Sequence, residues 1–223
     1  MTTPELSTPL LLASASPRRR QIMQLLGLDF STAVVPDEEE TIQNNFRGPA
    51  EELAQWLAKH KAGAALMLPE ASGRTIITAD TTVLLGEQIL SKPRDKAHAR
   101  ELLLALRGRW HHVVTGIAVS GLQNGRRKML SASCITPVLM RKYSEAQIAD
   151  YIATGDPLDK AGAYGIQHPS FQPTERIDGC YFNVVGLPVC ALIDLLAEFG
   201  IYPARRGRNE VQGPCPWSER CVL

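Results

Sequence analysis

The chain has 223 residues, of which 44% are hydrophobic and 21% are charged, and its net charge is +1 at pH 7. These values indicate an ordinary folded protein, and a charge this small excludes a whole-protein field that would hold a nucleic acid backbone or an anionic membrane surface. No apolar run approaches the length that crosses a bilayer. We therefore expect neither a nucleic acid nor a membrane partner, and any anion binding must be local.

The five cysteines lack the close paired spacing of a disulfide framework or a zinc site. The first residues do not combine a cationic segment with a long apolar core, which is the pattern of a secretory signal. The sequence thus predicts a reducing, cytoplasmic location.

The stretch LLLASASPRRR, residues 10–20, predicts a short buried strand followed by a capped helix. The apolar run is too short for a helix, while Ser16 fits the N-cap and Pro17 the first helical position. Three arginines then crowd the first turn, where they oppose the helix dipole unless an anion binds there. Two interpretations stay open at this point: a phosphate site and a solvated basic turn.

Residues 30–35 predict a second strand, which the acidic run DEEE, residues 37–40, follows. Such a run is usually a solvated loop, although one or two of its carboxylates could instead bind a hard cation. Residues 48–67 predict a helix whose buried stripe contains Leu53, Trp56, Leu57 and Ala64. Lys61 lies at the edge of this stripe, and the pattern favours a side chain that extends outward to solvent over one that points into a cleft.

The stretch TIITADTTVLL, residues 75–85, is a buried strand interrupted by Asp80. A carboxylate in such a place needs a cation, a metal or strong hydrogen-bond donors, so a functional role is favoured over a structural one. Gly86 and Glu87 then predict a two-residue hairpin turn.

Later signals predict further helices and strands. Asp95 caps a helix that ends at Gly108, and a capping box marks another helix at residues 144–147. Hairpin turns are predicted at residues 124–125 and 178–179, and a last helix from residue 188 to residue 199. His111 and His112 lack metal-ligand spacing and are predicted to be core or surface residues. The small-residue loop GDPLDKAGAYGIQ, residues 155–167, allows close approach of the backbone to a ligand.

The alternation of strands and helices, with hairpins in the middle, predicts an α/β protein with a mixed sheet flanked by helices. Residues 10–200 are expected to form one domain of two lobes, with a cleft between them. Residues 1–9 and 201–223 are expected to be tails.

Four motifs in this order, SASPRRR, TADTTV, SKPRD and GDPLDKAGAYGIQ followed by NVVGLP, resemble the Maf family of nucleoside triphosphate pyrophosphatases. The resemblance covers about residues 10–200 and is similar to the subfamily that acts on dTTP and UTP, with modified pyrimidine nucleotides left open as further substrates. It implies an inosine triphosphatase-like fold and cleavage between the α and β phosphates, with a divalent metal cation, Mg²⁺ or Mn²⁺, as cofactor.

The resemblance also implies roles for individual residues. The proton acceptor falls on Asp80, which would share the metal with Glu39, although Glu38 or Glu40 would serve after a shift of one residue. The positions tied to base selectivity are Arg18, Thr81 and Gln167. Further functional positions are Ser14, Arg19, Lys61 and Lys92.

Two points stay open. The family often continues GIQ with glycines, whereas HPSFQP, residues 168–173, is expected to stiffen and reshape the rim beside Gln167. An alternative function is a nucleotide-sensing or cell-division regulatory protein that uses the same cleft without turnover. Asp80 together with Lys61 and Lys92 favours an enzyme, since a sensor needs no proton acceptor. The sequence also leaves open whether the chain forms a homodimer.

Overall fold

A computed structural model describes residues 9–35 and 45–203 of the chain. The described residues form a seven-stranded mixed sheet in the order β2-β1-β3-β5-β6-β7, with β4 beside β3. The strands are β1 Leu10–Ala13, β2 Phe30–Ala33, β3 Thr75–Leu85, β4 Gln88–Leu90, β5 Trp110–Gln123, β6 Arg126–Met140 and β7 Thr174–Ile177. The mixed α/β fold class is therefore confirmed.

Helices flank this sheet. They are α1 Pro17–Leu25, α2 Leu53–Ala65, α3 Lys96–Leu106, α4 Glu145–Ala153, α5 Tyr181–Val185 and α6 Val189–Ala197. In the two described ranges, none of them is long and apolar enough to cross a membrane.

One edge of β3 contains a gap in the strand pairing. Residues 10–12 of β1 lie parallel to residues 75–77 of β3, and β4 pairs antiparallel with residues 83–85. Within the described chain, residues 78–82 have neither neighbour on this edge, while β5 pairs continuously along the other edge. Asp80 lies in the middle of the gap, so the sheet itself opens a cleft where the carboxylate stands.

The two largest apolar clusters contact β3 toward the two ends of this gap. One packs α1, α5 and α6 around Ile77 and Ala79, and the other packs α3 and α4 around Val83. The part of β3 between these clusters, residues 80–82, therefore carries polar side chains where the apolar core is interrupted. The expected division of residues 10–200 into two lobes stays a prediction.

Helix α2 covers the face of the sheet to which Asp80 belongs. Gly116 of β5 is the register partner of Asp80, so both positions point to the same face. A Cβ atom at Gly116 would lie 2.3 Å from the Cα atom of Gln55 in α2. The helix therefore rests directly on the backbone of the sheet, and Ala58 and Ala62 pack with Ala118 to keep it close.

Most local signals are confirmed. Ser16 and Asp95 accept hydrogen bonds as N-caps, and Ser144 forms the predicted capping box. The turns at Gly86 and at residues 124–125 adopt the positive φ angles that hairpin turns need.

Two predictions are wrong. The chain does not form a hairpin at residues 178–179; instead, Cys180 caps the short helix α5, because β7 is an edge strand from which the chain turns back over the sheet. Trp56 is only half-buried and Ala64 is exposed, since α2 packs on the sheet through Ala54, Ala58 and Ala62 instead.

We predict that Gly116→Ala destabilises the protein, because the new methyl group meets the backbone of α2, which cannot move aside as a side chain can. The expected loss is about 3 kcal/mol or more in the free energy of unfolding, measured by urea denaturation. The matched control is Gly63→Ala within α2, where an added Cβ meets nothing within 4 Å. This control is expected to gain about 0.5–1 kcal/mol. Equal stabilities of the two variants would contradict the packing described here.

Candidate functional site

A cavity of about 470 Å³ opens at the gap in the sheet. The structure brings eight of the predicted site residues to its wall: Ser14, Arg18, Arg19, Lys61, Asp80, Thr81, Lys92 and Gln167. Glu39, with the neighbouring acids Glu38 and Glu40, lies outside the described residues. Eight residues spread over 154 positions of the sequence thus converge on one cleft, while their individual roles stay predictions.

The Arg19 side chain makes three hydrogen bonds to described residues at the floor of the cavity. Its Nε donates to the Gly186 carbonyl at 2.8 Å, one terminal nitrogen to Ser14 Oγ at 3.3 Å, and the other to Thr81 Oγ1 at 3.1 Å. The N-cap of α1, Ser16, accepts from the backbone N–H of Arg19 and so orients the first turn. The guanidinium group is therefore preorganised by a strand end, a neighbouring strand and a loop.

The other two arginines of the cluster differ in position. Arg18 faces the cavity with its guanidinium 4.0 Å from Asp159 in the small-residue loop. Arg20 is exposed and does not line the cavity. The arginine cluster is thus divided between the site and the solvent.

Lys61 and Asp80 form an ion pair in the cavity wall, between Nζ and Oδ1. The Asp80 side chain is 4% exposed and that of Lys61 is 22% exposed. The expectation that Lys61 extends outward to solvent is therefore wrong. Because α2 rests on Gly116, the lysine is close enough to the sheet to reach the carboxylate, which a strongly buried anion requires.

The wall of the cavity is predominantly cationic. Among the described residues it carries five cations, Arg18, Arg19, Lys61, Lys92 and Lys160, and two carboxylates, Asp80 and Asp159. Cations concentrated in a concave site raise the local concentration of an anionic ligand, although the net charge of the chain is only +1. The site therefore suits a ligand with several negative charges.

The small-residue loop is held by a buried polar network. Lys160 is 8% exposed and donates to Asp156 Oδ1 at 2.9 Å and to Asp159 Oδ1 at 2.7 Å. Tyr151 donates to Asp156 Oδ2 at 2.6 Å and accepts from the Gly165 N–H at 2.9 Å. Burial opposes ionisation of Asp156, but the hydrogen bonds from Tyr151 and Lys160 outweigh it and lower its pKa. The network fixes the segment that carries Gln167 into the rim.

The segment HPSFQP after Gln167 is anchored rather than free. Phe171 stacks on Tyr151 with ring centroids 4.2 Å apart, and the His168 ring contacts the same tyrosine edge-on. Arg141 also donates to the carbonyls of Phe171 and Gln172. These contacts fix the rim beside the exposed Gln167 through α4 and the end of β6.

His111 and Tyr164 form a buried pair behind the cavity wall. His111 Nε2 lies 2.6 Å from the Tyr164 hydroxyl, and Tyr164 lines the cavity. Desolvation by burial lowers the pKa of His111 to about 4, so the ring is neutral at pH 7. His112, the next residue, is exposed. Of the two histidines, the buried one thus supports the wall of the site.

Three polar groups near the site were not predicted from the sequence: Thr115, Asn183 and the Gly186 carbonyl. Asn183 is fully buried and hydrogen-bonds to the backbone of β5, and Thr115 lies against Thr81. Asn183 could have been recognised from the sequence, because this polar residue interrupts an apolar stretch as Asp80 does. Thr115 has no such signal, because threonine is common in strands.

Comparisons of the sequence with known proteins point to one group of relatives. The profile of a family described as Maf-like protein matches residues 9–199. A dTTP/UTP pyrophosphatase of Yersinia pestis is 44% identical over 192 residues, covering 86% of this chain and 93% of the relative. A dTTP/UTP pyrophosphatase of Dehalococcoides mccartyi is 41% identical over 206 residues, with 92% and 89% coverage. One of Acetivibrio thermocellus is 41% identical over 196 residues, with 86% and 96% coverage.

The buried His111 predicts a pH-dependent stability. Its native pKa of about 4 lies below the unfolded value near 6.5, so its contribution is complete above pH 6.5 and is lost as the pH falls toward 4. Between pH 7.5 and pH 5 we expect it to lower the free energy of unfolding by about 2 kcal/mol. His111→Gln keeps a polar partner for Tyr164 but does not titrate, so it should lose less stability over this range. Parallel urea-denaturation profiles for the two proteins would contradict this assignment.

Proposed function

This chain belongs to the Maf family, and from that membership we propose that it hydrolyses dTTP and UTP to the nucleoside monophosphate and pyrophosphate. In this reaction a water oxygen bonds to the α phosphorus, and the bond from that phosphorus to the oxygen bridging the α and β phosphates breaks. The observation that supports the proposal best is a buried carboxylate, Asp80, paired with Lys61 in a cavity walled by cations.

The residues of the cavity supply what phosphoryl transfer needs. Such reactions depend on positioning and on neutralisation of phosphate charge more than on covalent catalysis. Arg19 is already held in one orientation, its neighbour Arg18 adds a second cation from the same helix α1, and Lys92 adds a third from the segment after β4. In our proposal these side chains hold the triphosphate, and Asp80 orients the attacking water and accepts its proton.

We propose a divalent cation, Mg²⁺ or Mn²⁺, as cofactor. Besides the Asp80 carboxylate, which Lys61 contacts at Oδ1, the cavity wall carries the hydroxyls of Ser14 and Thr81, and oxygen groups of this kind suit a hard cation. The described residues contain no group of three acidic, histidine or cysteine side chains that could hold a metal. A magnesium site commonly uses one or two carboxylates and is completed by substrate phosphates, and we propose Asp80 and Glu39, which lies outside the described residues, as its protein ligands. The cation would neutralise charge on the phosphate oxygens.

The base is proposed to bind at the rim near Gln167. This side chain is exposed at the edge of the cavity, and the anchored segment after it keeps its backbone in place. A carboxamide offers one donor and one acceptor direction, which complements the O4 and N3–H edge that uracil and thymine share. In our proposal this pairing holds the uracil or thymine base.

Asp80→Asn is expected to lower pyrophosphate release from dTTP and UTP by about 10²–10⁴-fold, because the amide cannot accept a proton. The matched control is Asp150→Asn on the exposed face of α4, which should keep full activity. Both variants should bind a non-hydrolysable dUTP analogue and show the circular dichroism of the wild type. Unchanged turnover by Asp80→Asn would contradict the proposed role. Wild-type protein that binds nucleotides but turns none over would instead support the alternative of a nucleotide sensor.

Removal of divalent metal is expected to abolish turnover. Dialysis against EDTA should reduce pyrophosphate release to the level of Asp80→Asn, and Mg²⁺ or Mn²⁺ should restore it. Thermal unfolding measured in EDTA serves as the control, since an unchanged midpoint shows that the loss is not caused by unfolding. Full activity after exhaustive dialysis would contradict the metal proposal.

A further inference from the structure

A row of hydroxyl groups runs from Arg19 into the interior of the protein. The Arg19 terminal nitrogen donates to Thr81 Oγ1 at 3.1 Å, and Thr81 Oγ1 lies 2.9 Å from Thr115 Oγ1. Thr115 Oγ1 lies in turn 2.9 Å from the backbone carbonyl of Asn183. The row thus connects a residue of the cavity floor to a carbonyl of α5.

Proton counting fixes the direction of every bond in this row. A carbonyl oxygen only accepts, and the Thr115 hydroxyl is the donor that the described structure provides for the Asn183 carbonyl. Leaving that carbonyl unpaired inside a fully buried residue would be costly, so the single proton of Thr115 goes to it. Thr115 can then only accept from Thr81, and Thr81 donates its own proton inward. The guanidinium has no acceptor, so it donates to Thr81.

The end of the row is immobile. The side chain of Asn183 accepts from the Thr115 N–H at 3.1 Å and donates to the Val113 carbonyl at 2.9 Å and to Thr136 Oγ1 at 2.8 Å. These bonds attach α5 to β5 and β6 within the core, where Asn183 is 0% exposed. The carbonyl that terminates the row therefore cannot turn away to another donor.

The row also closes into a ring. The Nε atom of Arg19 donates to the carbonyl of Gly186, which follows Asn183 by three residues. Gly186 has a φ of 119°, which residues with a side chain rarely adopt, and a Cβ atom there would lie 3.3 Å from Thr81 Oγ1, so this position favours glycine. Both ends of the Arg19 guanidinium are thus tied to the same short segment, one directly and one through two threonines.

We propose that Thr115 is a positioning residue for nucleotide binding, and this inference rests on the proposed function. By accepting the proton of Thr81, it turns a lone pair of the Thr81 hydroxyl toward the cavity. Thr81 then recognises a hydrogen-bond donor of the nucleotide, an N–H or O–H group, and not a phosphate oxygen. The same bond keeps Arg19 in its orientation.

The test is the pair Thr115→Val and Thr115→Ser. Valine keeps the shape but removes the hydroxyl, so KM for dTTP should rise about tenfold while kcat changes less than threefold. Serine keeps the hydroxyl and should restore KM to within about twofold of wild type. The double variant Thr81→Val with Thr115→Val should match Thr81→Val alone in KM, because the row is already broken. A proportional fall in kcat for valine and serine alike, or additive effects in the double variant, would overturn the inference.

The wild-type protein in the same assay distinguishes failure of the proposed function from failure of the positioning role. If wild type releases no pyrophosphate from dTTP or UTP, the function fails, and the row is tested by calorimetric binding of α,β-imido-dUTP with Mg²⁺. Weaker binding by Thr115→Val with recovery in Thr115→Ser supports the positioning role. Equal affinities of the three proteins, or no binding by any of them, overturn it.

Discussion

The structure depends on one feature that is unfavourable in free energy: the carboxylate of Asp80 is almost completely buried in a central strand of the sheet. A buried charge requires a close partner of opposite sign, and Lys61 on α2 supplies it. The ion pair would have no access to a ligand in a continuous sheet. It is open to the cavity because β1 and β4 leave residues 78–82 of β3 unpaired on one edge of the described sheet. The access of the ion pair to the cavity and the topology of the sheet are therefore one constraint.

That placement requires an unusually close helix. Gly116 lies opposite Asp80 in the sheet and lets the backbone of α2 approach without an intervening side chain. Ala58 and Ala62 continue the close contact between α2 and the sheet. Each of these small residues contributes little apolar burial by itself, so their value lies in the distance that they set between Lys61 and the strand.

Local signals predicted much of this molecule, and contacts between distant segments account for what they missed. Ser16, Asp95 and the capping box at Ser144 act within four residues, so their helices could be predicted. Asp80 was recognisable because a charge interrupts an apolar strand. The direction of Lys61 could not be predicted, since it is decided by a glycine 55 positions away. The roles assigned to Gln167 and Lys92 came from family resemblance, and the structure adds that both reach the same cavity.

Two neighbouring residues of β3 serve the cavity from opposite faces of the sheet. Successive side chains of a strand alternate, so Asp80 meets Lys61 on the α2 face, whereas Thr81 meets Arg19 on the face of α1 and α5. The gap in the edge exposes both to one ligand. The carboxylate is supported by charge and the threonine by a row of neutral hydroxyls, and the two systems share no hydrogen bond among the described residues. Among the described residues, the buried carboxylate and the Arg19–Thr81 row therefore have separate supports, and both reach the same cavity.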